Sequence, residues 1–242
     1  MRIALIGSGA MGGLVSTLAS AAGDEVGTIL SSREASKSVA ELAAEIREHD
    51  VAIDFSVSAA VVKNAEACAR AGVPLVEGTT GWQDQNAEVR RIIEDDQGAL
   101  VYGANFSIGV NIFYRMVSHA AGLMAGLDQY GAFIEEEHHS RKRDAPSGTA
   151  LELKKLMGKH LSNEIPVASV RAGHIPGTHR VGFDSAADQI TLTHMARSRE
   201  GFAAGALLAA RWIVGRKGVY EFSELIDEIL KDAANVQRRT FV

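Results

Sequence analysis

Two histidines and three cations fall within six residues of an otherwise acidic chain, in the run Glu135-Glu136-Glu137-His138-His139-Ser140-Arg141-Lys142-Arg143-Asp144. A cationic patch of this kind suits an anionic substrate. Histidine titrates near neutrality, which makes His138 or His139 a usable proton donor. A solvated loop with scattered ion pairs is the plain alternative for any charge run. The residues that come next weigh against it. Ala145-Pro146-Ser147-Gly148-Thr149-Ala150 leads into a helical run, so the N–H groups of Gly148 and Thr149 are expected to point out of a helix start, where a carboxylate can be held. Ser147 is placed to cap that helix and can serve both purposes. No metal is expected on His138, His139 and the neighbouring glutamates. Adjacent histidines point differently on a strand or a helix, and the i, i+4 pair of helical zinc sites is missing.

A second constellation lies near residue 10. Arg2 to Ile6 is apolar and β-branched enough for a buried strand, and it runs into Gly7-Ser8-Gly9-Ala10-Met11-Gly12-Gly13. This is a G-x-G-x-x-G opening a helix: Gly7 allows the tight turn, Gly9 lets the backbone approach a pyrophosphate, and Gly12 lets helix and strand pack closely. Ser8, Ala10 and Met11 complete the loop. Glycine turns also arise between strand and helix for steric reasons alone; the context on both sides favours a dinucleotide. Cofactor choice is read at the end of the second strand, where Gly27-Thr28-Ile29-Leu30 is followed by Ser31-Ser32-Arg33, with no carboxylate until Glu34. An acid there suits the ribose diol of NAD, an arginine the 2′-phosphate of NADP. Two hydroxyls and a guanidinium suit a phosphate better. NADPH is therefore the expected cofactor and NADH the other candidate, against the reading of a loop without consequence.

Elements must hold these groups in place. In the first hundred residues short apolar runs alternate with amphipathic stretches: strands at 2–6, 25–30, 51–55, 74–76 and 99–102, helices at 14–22, 59–71 and 85–95, with Gly23 and Gly72 as helix stops. This rhythm predicts a doubly wound parallel sheet, Rossmann-like. After Asn105 it changes to helices at 111–125 and 147–160, a strand at 130–135, and three closely spaced strands at 167–172, 178–184 and 189–194. Strands without helices between them favour a mixed sheet and a second domain of α+β type. Helical runs return at 199–214 and 222–236.

Composition bounds the rest. The chain has 242 residues, 46% apolar and 23% charged, one cysteine and a net charge of −5, which excludes disorder and a disulfide scaffold. Apolar stretches break well short of the roughly 20 residues of a membrane-spanning helix, and Ile3-Ala4-Leu5-Ile6 reads as a strand rather than a signal peptide. An acidic balance argues against a sequence-independent nucleic-acid binder. A soluble cytoplasmic enzyme, off the membrane, is the expectation.

The run from Glu136 to Ala150 matches E-x-H-H-x-x-K-x-D-A-P-S-G-T-A, and on it the sequence resembles the dihydrodipicolinate reductase family. Further matches span nearly the whole chain: the N-terminal glycine loop, Gly78-Thr79-Thr80-Gly81, Ala104-Asn105-Phe106-Ser107, Arg171-Ala172-Gly173, and Ser198-Arg199 before Phe202. The resemblance implies a dinucleotide-binding domain at 1–107, completed by 200–242, and a substrate-binding and oligomerisation domain at 108–199 that builds a homotetramer. It implies NAD(P)H-dependent reduction of a cyclic imine with two carboxylates, 4-hydroxy-tetrahydrodipicolinate, in lysine and diaminopimelate biosynthesis. His138 then resembles the general acid or proton shuttle and Lys142 the second donor. His139, Ser147, Gly148 and Thr149 would bind the substrate. Gly78, Thr79, Thr80, Ala104, Asn105, Phe106 and Ser107 would line the nicotinamide end of the cofactor site, Phe106 being either a pocket wall or a core aromatic. Three positions depart from the family pattern: Ala10 where an arginine often precedes Met11, Ser31-Ser32-Arg33 where an acid often ends the second strand, and Ala204 where an asparagine is common. Other readings are a different NAD(P)-dependent imine or amino-acid dehydrogenase on the same scaffold, a non-catalytic NADPH-binding protein, and a structural interaction module.

Overall fold

The computed structural model describes residues 1–240, with residues 233–240 entering only as helical backbone. The chain divides into two compact units, Met1–Ile108 with the chain from Glu200 onward, and Gly109–Arg199. The first unit opens with β1 (Arg2–Ile6), α1 (Ala10–Ala21), β2 (Glu25–Leu30), α2 (Val39–Ile46), β3 (Val51–Asp54), α3 (Val61–Ala71), β4 (Leu75–Glu77), α4 (Asn86–Asp95) and β5 (Ala99–Tyr102). Then follow α5 (Ile108–Met124), β6 (Gly131–His138), α6 (Gly148–Met157), β7 (Val167–Arg171), β8 (Thr178–Asp184) and β9 (Gln189–Met195). The chain returns to the first unit with α7 (Glu200–Ile213), β10 (Gly218–Glu221) and α8 (Phe222–Thr240).

The first unit carries a six-stranded sheet in the order β10-β5-β4-β3-β1-β2, every pair parallel. A parallel sheet is covered on both faces, so its strands are continuous apolar runs. Ile3 and Leu5 of β1 point to one core, with Val15, Ile53, Val101 and Ala206. Ala4 and Ile6 point to the other, with Ile46, Ala65, Leu75 and Ile93. Helix α1 starts at Ala10, inside the glycine run that the sequence reading treats as turn to Gly13. Position 12, within α1, takes only glycine because it packs against the turn: a Cβ there would lie 2.0 Å from the Gly7 carbonyl oxygen. Two elements carried no expectation. Helix α2 is announced by a reciprocal cap between Ser38 and Glu41, a legible signal. Strand β10 has only four residues on the sheet edge, three half-buried and one exposed.

The second unit carries a four-stranded mixed sheet, β7-β6-β8-β9, with β6 parallel to β7 and the other pairs antiparallel. Ile134, Val181 and Phe183 pack under Phe113 and Val117 of α5 and Leu153 and Met157 of α6. Among the described residues no helix is long and apolar enough to cross a membrane.

Candidate active site

Side chains alternate along β6, so Ala132, Ile134, Glu136 and His138 share the face turned toward the helices. Register then assembles a polar layer at the end of that core: Glu136 stands opposite Ser169 of β7 and His179 of β8, and His138 opposite Arg171. Glu136 is wholly buried. Arg171 grips it with both nitrogens, Nη1 to Oε2 at 3.0 Å and Nη2 to Oε1 at 2.6 Å. The Ser147 N–H donates to Oε1 at 3.3 Å, and His138 Nδ1 bonds to Oε2. Burial alone would raise the Glu136 pKa. Arg171, Ser169 and His138 outweigh it and hold the carboxyl at about 2.

His138 feels opposing forces. Burial lowers its pKa, Glu136 opposes that, and the positive charges of Lys142 and Arg171 add to the lowering. With Nδ1 committed to Glu136, Nε2 is the nitrogen left to exchange a proton. Gly177 keeps room beside it, since a Cβ there would sit 3.1 Å from Nε2. His179 stacks edge-on at 5.1 Å between ring centroids, and its Nε2 lies 3.0 Å from Ser147 Oγ. That oxygen accepts from the Ala150 N–H, so its own proton is available to His179. Burial and the neighbouring His138 push His179 down to about 4, which keeps it neutral near pH 7.

The remaining charged-segment residues lie on the turn after β6. Lys142 is half-buried and pairs with Asp144 at 2.8 Å. Its N–H donates to the carbonyl of His139, whose ring Nδ1 is buried without a partner. Ser147 caps α6 through Ala150. Gly148 opens the helix, exposed, with nothing within 4 Å of where a Cβ would be. Thr149 lies beside the hydroxyl of Tyr114, which burial raises to about 12 against the hydrogen bond that the Thr149 side chain offers it.

Sequence reasoning did not single out His179, and took Glu136 and Arg171 only as motif letters. The period-two alternation of β6 could have placed Glu136 with His138. His179 had no local signal, because only strand register brings it there. Donor atoms of Glu136, His138 and His179 lie within 4.8 Å of one another, a grouping with the makings of a metal site. The guanidinium of Arg171 already occupies both oxygens of the carboxylate.

The first unit holds the other constellation. Gly7 has φ +100°, and a Cβ on it would lie 2.5 Å from the Phe55 carbonyl oxygen. Gly9 caps α1 with no side-chain bond, no acid stands in the first turn, and a Cβ on Gly9 would meet nothing within 4 Å. Bare N–H groups at an uncapped helix start with open space before them fit a pyrophosphate. Ser8 and Ala10 are exposed there, and Met11 is half-buried against the core.

At the end of β2, Glu34 turns back on Ser31, taking its N–H at 2.6 Å and its hydroxyl at 2.9 Å. The Ser31 hydroxyl also accepts from Arg33 N–H. Ser31 is thus spent on a local cap, a correction to its reading as a free phosphate ligand. Ser32 and Arg33 remain exposed.

Two nicotinamide-end expectations also need correcting. Thr79 points inward, its N–H on Glu77 and its hydroxyl toward Asp54. Phe106 is 2% exposed, packed between Phe55 and Phe222 with centroid separations of 6.2 and 4.6 Å, and so is a core aromatic. Asn105 Oδ1 accepts from the Ser107 N–H, shaping the turn that bears Ala104. A Cβ on Gly78 would lie 2.1 Å from the Phe55 ring, and Thr80 is exposed.

Two family models match in tandem: "Dihydrodipicolinate reductase, N-terminus" over residues 1–106 and "Dihydrodipicolinate reductase, C-terminus" over residues 109–226. A 4-hydroxy-tetrahydrodipicolinate reductase of Christiangramia forsetii is 38% identical over 251 residues, covering 96% of this chain and 100% of its own. The protein of the same name in Archaeoglobus fulgidus is 36% identical over 262 residues, covering 94% and 100%. In fold, the chain is similar to a dipicolinate-bound dihydrodipicolinate reductase from Paenisporosarcina sp. TG-14, with a TM-score of 0.70 at 21% identity over 91% of this chain and 97% of that one.

Proposed function

The chain belongs to the dihydrodipicolinate reductase family, and from that premise we propose that it reduces 4-hydroxy-tetrahydrodipicolinate to tetrahydrodipicolinate with NAD(P)H, in lysine and diaminopimelate biosynthesis. The observation that carries the reading is the buried Glu136, which Arg171 keeps ionised and which in turn holds Nδ1 of His138. An anchored carboxylate against one ring nitrogen fixes the orientation and tautomer of the imidazole. His138 then delivers a proton from Nε2 to the substrate ring and recovers it from solvent. Glu136 stabilises the imidazolium while it exists.

A substrate with two carboxylates needs cationic and N–H donors. Lys142, His139 and the helix start at Gly148 and Thr149 supply them, while Ser147, its hydroxyl spent on His179 and the Ala150 N–H, contributes by capping that helix. An incoming dianion also pushes the depressed His138 pKa back up, which favours the protonated donor. Lys142 gives up its exposed pairing with Asp144 at little cost, since such pairs are worth about 0–1 kcal/mol.

Gly7, Ser8, Gly9, Ala10, Met11 and Gly12 would hold the cofactor's pyrophosphate, and the turns at Gly78–Thr80 and Ala104–Ser107 its nicotinamide end. Bound there, NAD(P)H supplies the hydride. NADPH is the preferred form in this reading: Glu34 is folded away from any ribose diol, and Ser32 and Arg33 stand exposed for a 2′-phosphate. The outer face of the four-stranded sheet leaves Val170 and Met195 47% and 64% exposed, which supports a homotetramer assembled through those sheets. The setting is the cytoplasm, where this pathway's soluble intermediates would be met.

The test is a coupled assay in which dihydrodipicolinate synthase generates the unstable substrate and dinucleotide oxidation is followed. Oxidation that depends on the synthase is expected, faster with NADPH at low concentration. No synthase-dependent oxidation with either dinucleotide overturns the proposal.

A further inference from the structure

Asp54 and Glu77 end β3 and β4 side by side, at the carboxyl edge where doubly wound sheets bind their ligands. Both are fully buried, and their donors are neutral. Asp54 Oδ1 accepts from the Ser56 N–H at 2.7 Å and the Thr79 hydroxyl at 3.5 Å, and Oδ2 from Asn64 Nδ2 at 2.7 Å. Glu77 Oε1 accepts from the Thr79 N–H at 2.7 Å. Glu77 Oε2 is buried with no hydrogen-bond partner among the described residues, and the residue paired with Glu77 across β3 and β4 is another acid, Asp54, whose carboxyl interacts with that of Glu77. Two acceptors face each other in a dry interior only when one of them carries a proton.

The surroundings offer no cation to change this. From α3 come Asn64 and the buried Cys68, whose thiol burial and the two acids push well up. From β1 comes Ile6, and from β5 Tyr102, whose hydroxyl is turned to Glu221. The sheet's other face is covered by Ala203, Ala206 and Ala210 of α7. Among the described residues neither acid has an ion-pair partner. Burial pushes both carboxyls up, Glu77 further because Asp54 is charged beside it.

The groups held by the pair belong to the cofactor end of the unit. Ser56 N–H also donates to the Thr79 hydroxyl at 3.1 Å, so the turns after β3 and β4 are laced through the two acids. Between them Phe55 sits against Gly78 with its ring and against Gly7 with its carbonyl. We propose that Asp54 and Glu77 form a positioning pair that shares one proton, held on Glu77, and thereby keeps the Gly7 turn and the Gly78–Thr80 turn in the shape that receives the dinucleotide. Loss of that proton sets two carboxylates against each other and releases the turns. This rests on the dinucleotide reading above.

Two measurements on the full chain test it. Without cofactor, the infrared spectrum near pH 7 is expected to show the carbonyl stretch of a buried protonated carboxyl, absent in Glu77→Gln. With NADPH titrated by fluorescence, wild-type affinity is expected to fall by about tenfold per pH unit once Glu77 ionises in the free protein, while Glu77→Gln, which keeps a neutral donor facing Asp54, stays flat over that range. Thermal melts of both proteins check that each is folded throughout. A wild-type spectrum without the acid band, or the same pH dependence in both proteins, overturns the pair's role and leaves the reductase reading standing. No NADPH or NADH binding at any pH removes the reductase reading and this role together.

Discussion

Glu136 and Glu77 are both wholly buried glutamates on sheet strands, yet one is held as a carboxylate and the other as an acid. Depth does not separate them. Glu136 meets a guanidinium on both oxygens, a backbone N–H and an imidazole. Glu77 meets only the backbone and side chain of Thr79, both neutral, and a second acid. Burial penalises charge in both places, and only the arriving partner decides whether the penalty is overcome. The second unit uses its carboxylate to hold the imidazole of His138 in place, and the first, in our proposal, uses its protonated pair to tie turns.

The comparison can be broken most forcefully at Arg171. Arg171→Met strands a buried charge, and a loss of about 3–5 kcal/mol in urea unfolding is expected. The double variant Glu136→Gln/Arg171→Met should recover most of it. Equal losses in the single and double variants would mean that Arg171 matters for packing and not for the charge on Glu136.

His138→Gln should lower kcat by about 10²–10⁴-fold with little change in KM. Lys142→Ala should damage both parameters, because the proposed function also gives that ammonium the task of holding the substrate. Glu136→Gln removes what opposes the burial of His138, so its pH–rate profile should move to lower pH. Steady-state kinetics across pH read all three, and unchanged kinetics in any variant removes that residue from the mechanism.

The pH dependence of stability sharpens the contrast because the signs are opposite. Glu136, depressed to about 2, contributes stability present above the ordinary carboxyl range and lost as pH falls toward 2. His179, depressed to about 4, is costly to protonate, so its contribution is full above about 6.5 and is lost as pH falls toward 4. Glu77, raised, acts the other way: its contribution is present in acid and is lost as pH rises through its folded pKa. Each window has a slope of about 1.4 kcal/mol per pH unit. Melting curves should therefore show a decline with rising pH, beginning above the ordinary carboxyl range, that Glu77→Gln removes and an acid decline that His179→Gln softens. If Glu77→Gln leaves the decline with rising pH unchanged, Glu77 was ionised all along.

The smallest effect is expected at Arg33. Arg33→Ala should narrow the preference for NADPH over NADH by about tenfold, roughly 1.4 kcal/mol. An unchanged ratio of the two KM values would return Arg33 to the solvent.

Much of this architecture could be read from the chain, for local reasons. Parallel strands announce themselves as apolar runs, Gly72 stops α3 with a left-handed φ of +71°, and Ser147 caps α6 as its type predicts. The strand expected over 130–135 runs on to His138 in the structure, so that histidine shares the strand and Lys142 follows it. Where expectation slipped, a contact that residue type alone does not show was responsible, near in the chain for Ser31 and distant for Phe106. Ser31 looked available until Glu34 folded back on it. Phe106 could have been wall or core until Phe55 and Phe222 closed around it.

The amino-acid order alone determined the alternation of strands and helices, the glycine cradle and the concentration of charge after residue 134, since each follows from steric and solvation preferences acting over a few neighbours. Only the tertiary structure decided which acids are ionised. A side chain's proton is governed by whatever lies within a few ångströms of it, and Arg171 reaches Glu136 across 35 residues of chain just as Asp54 meets Glu77 through strand pairing.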